Sequence, residues 1–244
     1  MTLNFPPFTD LVAVASKLGS AGKGLKLKRC LDQAWRANSC LGDLKQAEDC
    51  CGILKEMVDR PNDDDSPHVL TTERALLTNG ITLYARATST SGQDGERGSV
   101  QLERGSMTKL QWEDHRLIVD IRNLVISHVY DARAVGSRNW HRSLFFAVEF
   151  SPGRWRPASA AHQTSFDRPA FEALSRAVPI AYQIILPKFH KRMRAVMREL
   201  SEAGDEALLQ ECRFDPITAF GSVHGVEAVL DMRTDGAGAV WSRE

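Results

Sequence analysis

The chain has 244 residues, of which 43% are hydrophobic and 25% charged, values that are ordinary for a globular protein able to bury a core. Lys and Arg together number 31, as do Asp and Glu, so the net charge of zero favours no class of partner. The five cysteines form neither a CxxC pair nor a Cys/His zinc spacing, and no apolar run is long enough to span a membrane. We expect a cytoplasmic protein without a disulfide framework, a bound metal or a cofactor.

The first segment, residues 1–29, carries one short apolar stretch and the run "GSAGKGLKLKR". This run lacks the glycine-lysine spacing of a phosphate-binding loop, and no strand clearly leads into it. We interpret residues 1–29 as a weakly structured segment that precedes the main domain, which we place at residues 30–200.

Two helices are predicted at the start of this domain. Residues 31–59 place apolar side chains at spacings of three and four and end at "RPNDDDSPH". The second helix is expected to begin after a cap at Thr71 or Thr72 and to run to about Thr88, with Gly80 allowing a close helix contact. The cysteines of the first helix are expected to be buried thiols: Cys40, Cys50 and Cys51.

A polar, glycine-rich segment at residues 89–105 separates this helix from the next. A segment of this length without apolar periodicity is typical of a mobile or functional loop. The helix after it begins near Leu110 and carries an apolar stripe over about five turns, up to Val129. The sequence therefore predicts a long, largely buried helix.

The end of this stripe, the sequence "DIRNLVISHVY" from Asp120 to Tyr130, combines Arg122, Asn123 and His128. Arg122 and His128 are six residues apart, which corresponds to about 9 Å along a helix axis. One helix does not bring the two side chains together over this distance. We therefore expect them to act at the edge of a groove or beside a second copy of the helix.

These three side chains carry the chemistry that metal-independent RNA cleavage requires. A histidine titrates near neutral pH and can take a proton from a ribose 2′-OH or give one to the leaving oxygen. An arginine binds phosphate oxygens in a fork and stabilises the charge that collects on them. Asn123 would orient the phosphate or the histidine by hydrogen bonding.

Arg122-Asn123 followed by His128 resembles the R-x4-6-H motif of the HEPN superfamily, in which a polar residue directly follows the arginine. The surroundings are similar too, because a helix ending in "LYARAT" and a variable polar loop precede the motif. The resemblance extends over residues 31–200 as a pattern of helices and is greatest to the abortive-infection and toxin branch of the superfamily.

The resemblance implies a helical bundle that dimerises through the motif helix. It also implies a metal-independent endoribonuclease of a toxin–antitoxin or antiviral defence system, with an antitoxin protein as a possible partner. Carried onto this sequence, the catalytic pair is Arg122 and His128, with Asn123 as the accessory residue.

The part of the chain after the motif contains a β-hairpin and a long helix. Two strands are predicted at residues 143–165 around a Pro-Gly turn, as an insertion that a minimal bundle does not need. Asp167 is expected to cap a last helix that runs from Pro169 to about Leu200. Its internal prolines are expected to kink or split it: Pro179 and Pro187. Residues 201–244 are interpreted as a loose tail, in which "SVHGVEAVLDM" is a short strand or unordered.

Further residues are candidates for substrate binding. Tyr84, Arg86 and His115 lie where they could line the motif groove, but packing is the favoured explanation for the tyrosine and a surface position for the other two. Arg154 and Arg156 flank a tryptophan, a pattern that can stack bases and bind phosphates. Asp114 and Asp120 are interpreted as solvated charges.

The charge distribution leaves two explanations open. Residues 133–198 contain twelve basic and three acidic residues, whereas residues 43–73 contain nine acidic and three basic ones. The basic segment could attract a polyanion such as RNA, or the two segments could neutralise each other in the fold or across a dimer.

We predict a mainly α protein, a HEPN-like antiparallel bundle with a small β-hairpin insertion between the motif helix and the last long helix. The expected activity is RNA cleavage that leaves 2′,3′-cyclic phosphate and 5′-hydroxyl ends. Two alternatives remain: an inactive HEPN-like module that binds nucleic acid or protein, and a structural helical dimer in which His128 belongs to the core.

Overall fold

The protein is mainly helical with a two-stranded antiparallel hairpin, which confirms the predicted fold class. The computed structural model describes residues 5–59, 66–92, 97–127, 134–135, 138–203 and 205–231. The helices are α1 (Leu11–Ala21), α2 (Leu25–Val58), α3 (Pro67–Thr88), α4 (Lys109–Ile121), α5 (Arg168–Ala203), α6 (Glu206–Glu211), α7 (Pro216–Phe220) and α8 (Val223–Asp231). The strands are β1 (Phe8–Thr9), β2 (Ala134–Val135), β3 (Arg138–Asn139), β4 (His141–Ser151), β5 (Arg154–Gln163) and β6 (Arg213–Phe214). Within the described ranges, no helix combines the length and the apolar character that crossing a membrane requires.

The chain divides into two compact units. Unit 1 comprises the described residues of Met1–Gly42, Ser91–Val100 and Tyr182–Glu244, and unit 2 comprises those of Asp43–Thr90 and Gln101–Ala181. The long helices α2 and α5 each contribute residues to both units.

Unit 1 contains a helix where the sequence predicts weak structure. The Asp10 side chain accepts hydrogen bonds from the backbone N–H groups of Val12 and Ala13 and so caps α1. Gly22 ends the helix at φ 62°, the left-handed conformation that glycine adopts without strain. Three apolar side chains of α1 then join a buried cluster with α2, α5 and Cys212: Val14, Ala15 and Leu18. The prediction for residues 1–29 was therefore wrong from Leu11 onward.

The C-terminal part of unit 1 is also more ordered than predicted. The side chains of Asp205 and Asp215 accept backbone hydrogen bonds at the starts of α6 and α7. Residues 223–231, expected to be a strand or unordered, form α8. β6 pairs with β1 in antiparallel register, so this end of the chain is tied to the beginning of the unit.

The two helices predicted before the polar segment are confirmed, and both begin earlier than expected, α2 at Leu25 and α3 at Pro67. α3 begins earlier than expected because Ser66 accepts a hydrogen bond from Val69 N–H and Pro67 occupies the first turn. A β-carbon on Gly80 would lie 3.0 Å from Leu174 Cδ2 and 3.5 Å from Cys50 Cβ, so this glycine does allow a close helix contact. The thiols of α2 predicted to be buried are all buried: Cys40, Cys50 and Cys51.

Helix α4 begins at a capping box and ends in a change of helix type. Thr108 accepts from Gln111 N–H, and the Gln111 side chain accepts from Thr108 N–H. The regular helix ends at Ile121, and a π-helical turn, Arg122–Ile126, follows. The predicted α-helix is therefore wrong at Arg122–Ile126, and its predicted end at Val129 lies outside the described residues. Helix α3 contacts both α4 and the π-helical turn, as a bundle requires.

The hairpin and the last long helix lie where the sequence predicts them. β4 and β5 join at the predicted Pro-Gly turn, where Gly153 has φ 76°. Asp167 accepts from Ala170 N–H at 2.8 Å and caps α5 as expected. The expected split of α5 does not occur, because Pro179 and Pro187 lie on exposed positions while the opposite face is buried along the helix.

Candidate functional site

The middle of α4 carries a buried polar pair. The Tyr84 phenol oxygen lies 3.0 Å from His115 Nδ1, and their exposed fractions are 0% and 6%. The His115 ring also contacts the Trp112 ring at a centroid distance of 5.1 Å. Burial lowers the pKa of His115, and burial followed by the nearby Asp114 charge raises the pKa of Tyr84. His115 is therefore an uncharged core side chain, and the expected surface position was wrong.

Two ion pairs flank this buried pair. Asp114 is 6% exposed and accepts from Arg176 at two oxygens, with both N–O distances 2.9 Å. Asp43 is 4% exposed and accepts from Arg86 in the same two-point fashion. Asp114 is therefore a paired, buried carboxylate, and its interpretation as a solvated charge was wrong. Arg86 is half-exposed, and the fork of its guanidinium is used on Asp43.

Arg122 and Asn123 lie side by side at the end of α4. Arg122 Nη1 donates to Asn123 Oδ1 at 2.9 Å. Arg122 is partly exposed and Asn123 is exposed. Because a guanidinium has five N–H donors, the bond to Asn123 is compatible with a simultaneous two-point contact to a phosphate.

The backbone at this point departs from an α-helix. Ser127 N–H donates to Arg122 C=O at 3.0 Å, the five-residue spacing of a π-helix. Such turns are rare and occur often at functional sites. The sequence pattern does not reveal this turn. A helical projection at a constant 100° per residue assigns every residue after Arg122 to the face it would have on a regular α-helix. His128, the predicted partner of Arg122, lies outside the described residues.

A pocket of about 240 Å³ adjoins the π-helical turn. Val125 and Ile126 of the turn line it, together with Arg74 of α3 and the Trp140 and His141 side chains. Trp140 is held by a hydrogen bond of 3.3 Å from its indole N–H to Val135 C=O. Arg74 and Trp140 were missed in the sequence because the residues that meet here are far apart along the chain.

The predicted binding residues on the hairpin, Arg154 and Arg156, share one face of β5, and the tryptophan between them lies on the other face. Arg154 and Arg156 are exposed, as is Trp155. In the register of the sheet Trp155 is opposite Glu149 and Arg156 is opposite Val148, and successive residues of a strand point to opposite faces. The alternation of basic and aromatic residues therefore does not form a single mixed surface.

Unit 1 contains a larger pocket of about 440 Å³ with a mostly apolar lining. Trp35, Phe189 and Met193 contribute to it, and the Lys28–Asp32 ion pair, with an N–O distance of 2.6 Å, is its charged part. None of the predicted site residues lines this pocket. In the described part of the chain, no three His, Cys, Asp or Glu side chains come together to hold a metal ion.

No protein-family model matches the chain, and neither a curated protein nor a solved structure matches it.

Proposed function

We propose that the protein is a metal-independent endoribonuclease of the HEPN type, with Arg122, Asn123 and His128 as its active residues. The observation that carries the proposal is the hydrogen bond between Arg122 and Asn123 at the solvent-accessible π-helical turn. A guanidinium held in place beside solvent can bind a phosphate without first giving up a buried partner. Two other charged side chains of these helices, Asp114 of α4 and Arg86 of α3, are used in ion pairs with Arg176 and Asp43.

In this mechanism His128 removes the proton from a ribose 2′-OH, and the 2′ oxygen attacks the adjacent phosphorus. The bond to the 5′ oxygen of the next nucleotide breaks, and this oxygen takes up a proton as it leaves. Arg122 stabilises the charge on the phosphate oxygens, and Asn123 orients Arg122. The products are a 2′,3′-cyclic phosphate and a 5′-hydroxyl.

The pocket beside the π-helical turn is the proposed place for a base next to the cleaved phosphate. Trp140 offers a ring for stacking and Arg74 offers a positive charge for the backbone. Its volume, about 240 Å³, is below the roughly 300 Å³ at which typical ligand pockets begin, and suits one base better than a longer segment.

The proposal includes the partners and the setting that the family resemblance implies. RNA is the substrate, a second copy of the chain contacts the motif helix, and an antitoxin protein restrains the activity in the cytoplasm. A second histidine from the copy would supply the acid while the first acts as the base.

The test is RNA cleavage in excess EDTA by the wild type and by three variants. Arg122→Ala and His128→Ala are expected to lose roughly 10²–10⁴-fold in rate, the usual contribution of such groups. Asn123→Ala is expected to lose less, because Arg122 retains its charge. The matched controls are Arg116→Ala, an exposed arginine of the same helix, and His68→Ala, an exposed histidine of α3. A folded wild type without activity, or equal losses in the controls, would contradict the proposal.

A binding module without catalysis is the second candidate. The exposed arginines of β5, Arg154 and Arg156, favour it because neither is used in the core. In that case the double substitution Arg154→Ala/Arg156→Ala weakens RNA binding and reduces its salt dependence, while no variant changes cleavage because none occurs.

A further inference from the structure

The hairpin of β4 and β5 presents large apolar side chains to solvent on both faces. The exposed fraction is 85% for Phe145, 62% for Phe150 and 61% for Trp155. It lies between 41% and 48% for three further residues of β4: Leu144, Phe146 and Val148. Exposed apolar groups at this density mark an interaction surface, and a two-stranded hairpin alone is only marginally stable in water.

The two edges of the hairpin differ in composition. Strand β5 carries Arg154, Arg156 and Pro157, and charges and proline are the features that prevent an edge strand from pairing. Strand β4 has a single charged residue, Glu149, between Ser143 and Ser151, and no lysine or proline. Only the β4 edge is therefore suited to adding another strand.

The hydrogen-bond register shows which backbone groups face that edge. Thr164 N–H donates to Trp140 C=O at 3.1 Å, so this pair is hydrogen-bonded within the hairpin. Along an antiparallel ladder, hydrogen-bonded and non-hydrogen-bonded pairs alternate. Counting from Trp140 and Thr164, Ala147 and Pro157 form a non-hydrogen-bonded pair. The backbone N–H of residue 157 would point away from β4, so the proline at this position costs the hairpin no hydrogen bond. On β4, the N–H and C=O groups of Phe145, Ala147 and Glu149 point outward in the same way.

We propose that β4 pairs edge to edge with β4 of a second copy of this chain. The result is an antiparallel sheet with the strand order β5, β4, β4 of the copy and β5 of the copy. A twofold axis makes identical strands antiparallel to each other, so one contact satisfies the outward groups of both chains. This contact is separate from the proposed one at the motif helix and does not depend on RNA cleavage.

The sequence of β4 favours a copy of itself as the partner. The centre of β4 is an uninterrupted apolar run, Leu144-Phe145-Phe146-Ala147-Val148. A twofold axis that passes through Phe146 or Ala147 places each residue of this run opposite a residue of the copy that points to the same face of the sheet. Phe146 then lies beside apolar side chains of the copy, and the cross-strand aromatic and β-branched contacts stabilise the sheet.

The test compares the molar mass of the wild type and of matched proline variants by light scattering at tens of micromolar. Ala147→Pro removes an outward N–H of β4, and Ser159→Pro removes an outward N–H of β5. Ala147→Pro is expected to halve the mass of the wild-type species, whereas Ser159→Pro leaves it unchanged. Three results would overturn the proposal. The wild type could be a single chain, Ala147→Pro could keep the wild-type mass, or both variants could show a halved mass.

A second pair of variants avoids damage to the hairpin. Phe145 is mostly exposed, so Phe145→Lys removes little packing and introduces the residue that guards natural edge strands. Its control is Ser159→Lys, at the directly opposite position of β5. Only Phe145→Lys is expected to halve the mass.

Hydrogen exchange locates the contact and separates it from one at the motif helix. The amides of Phe145, Ala147 and Glu149 should exchange slowly in the concentrated wild type and faster on dilution. Fast exchange of these amides in an oligomeric wild type would mean that another surface holds the copies together, and would reject the β4 contact.

Discussion

The middle of α4 and the π-helical turn at its end both carry polar side chains, in opposite surroundings. In the middle, Asp114 and His115 are buried and bonded to Arg176 and Tyr84. At the end, the Arg122 side chain donates to its chain neighbour Asn123, the partner seen for it among the described residues, and both side chains reach solvent. A polar residue in an apolar helix can therefore stabilise the fold or be available for a ligand, and its partner decides which.

The largest expected effect on stability is at the Asp114–Arg176 pair. Arg176→Met leaves the buried Asp114 carboxylate without its partner and is expected to lower the free energy of unfolding by roughly 3 kcal/mol. Urea denaturation of the variant measures this change. The double variant Arg176→Met/Asp114→Leu removes the stranded charge and should recover much of the loss. No recovery in the double variant would mean that the pair does not act as a unit.

A smaller loss is expected at the Tyr84–His115 hydrogen bond. Tyr84→Phe keeps the ring in the core but leaves His115 Nδ1 without its hydrogen-bond partner, and is expected to lower the free energy of unfolding by roughly 1–2 kcal/mol. The same denaturation experiment measures it. Tyr182→Phe, a change of the same chemistry at a partly exposed tyrosine of α5, is the control and should lose less.

The burial of His115 also predicts a dependence of stability on pH. Because burial lowers its pKa, the unfolded chain binds a proton more readily than the folded one below the ordinary histidine value of about 6.5. The free energy of unfolding should therefore fall as the pH drops below that value, and the decline from this group ends once the folded-state pKa is passed. His115→Gln should flatten the decline between neutral and mildly acidic pH. The exposed His68→Gln should not, and equal curves for His115→Gln and the wild type would contradict the prediction.

The smallest expected stability change is at Arg122. Its side chain bonds to an exposed neighbour, so Arg122→Ala should alter the free energy of unfolding by about 0.5 kcal/mol or less. Thermal unfolding measures this alongside the cleavage assay. A large loss of stability would show that Arg122 belongs to the core, as Asp114 does, and would remove the contrast between the two regions.

Local sequence signals predicted the parts of the fold that depend on local physics. The Asp167 cap, the Pro-Gly turn and the buried cysteines of α2 all follow from neighbouring residues, and the structure confirms them. Helix α1 depends on equally local signals, the Asp10 cap and Gly22, but a short helix is held mainly by packing against distant residues. That packing is not visible in a local pattern.

The candidate site shows the same limit more sharply. Asp114 and His115 resemble surface residues in the sequence because their partners are 62 and 31 positions away. The prolines of α5 suggested a break, yet their exposed positions and the buried opposite face keep the helix continuous. Arg122 and Asn123, in contrast, are neighbours in the chain, and their proximity was predictable without the fold.

The most direct test of the central claim is to map the ends of RNA treated with the wild-type protein in excess EDTA. We expect 2′,3′-cyclic phosphates at the new 3′ ends and hydroxyls at the new 5′ ends, because the 2′ oxygen is the proposed nucleophile. For the same reason, we expect no cleavage at a position that carries a 2′-deoxyribose. Phosphates at the new 5′ ends, or unchanged cleavage at the deoxyribose, would show that water is the nucleophile and would contradict the roles assigned to Arg122 and His128.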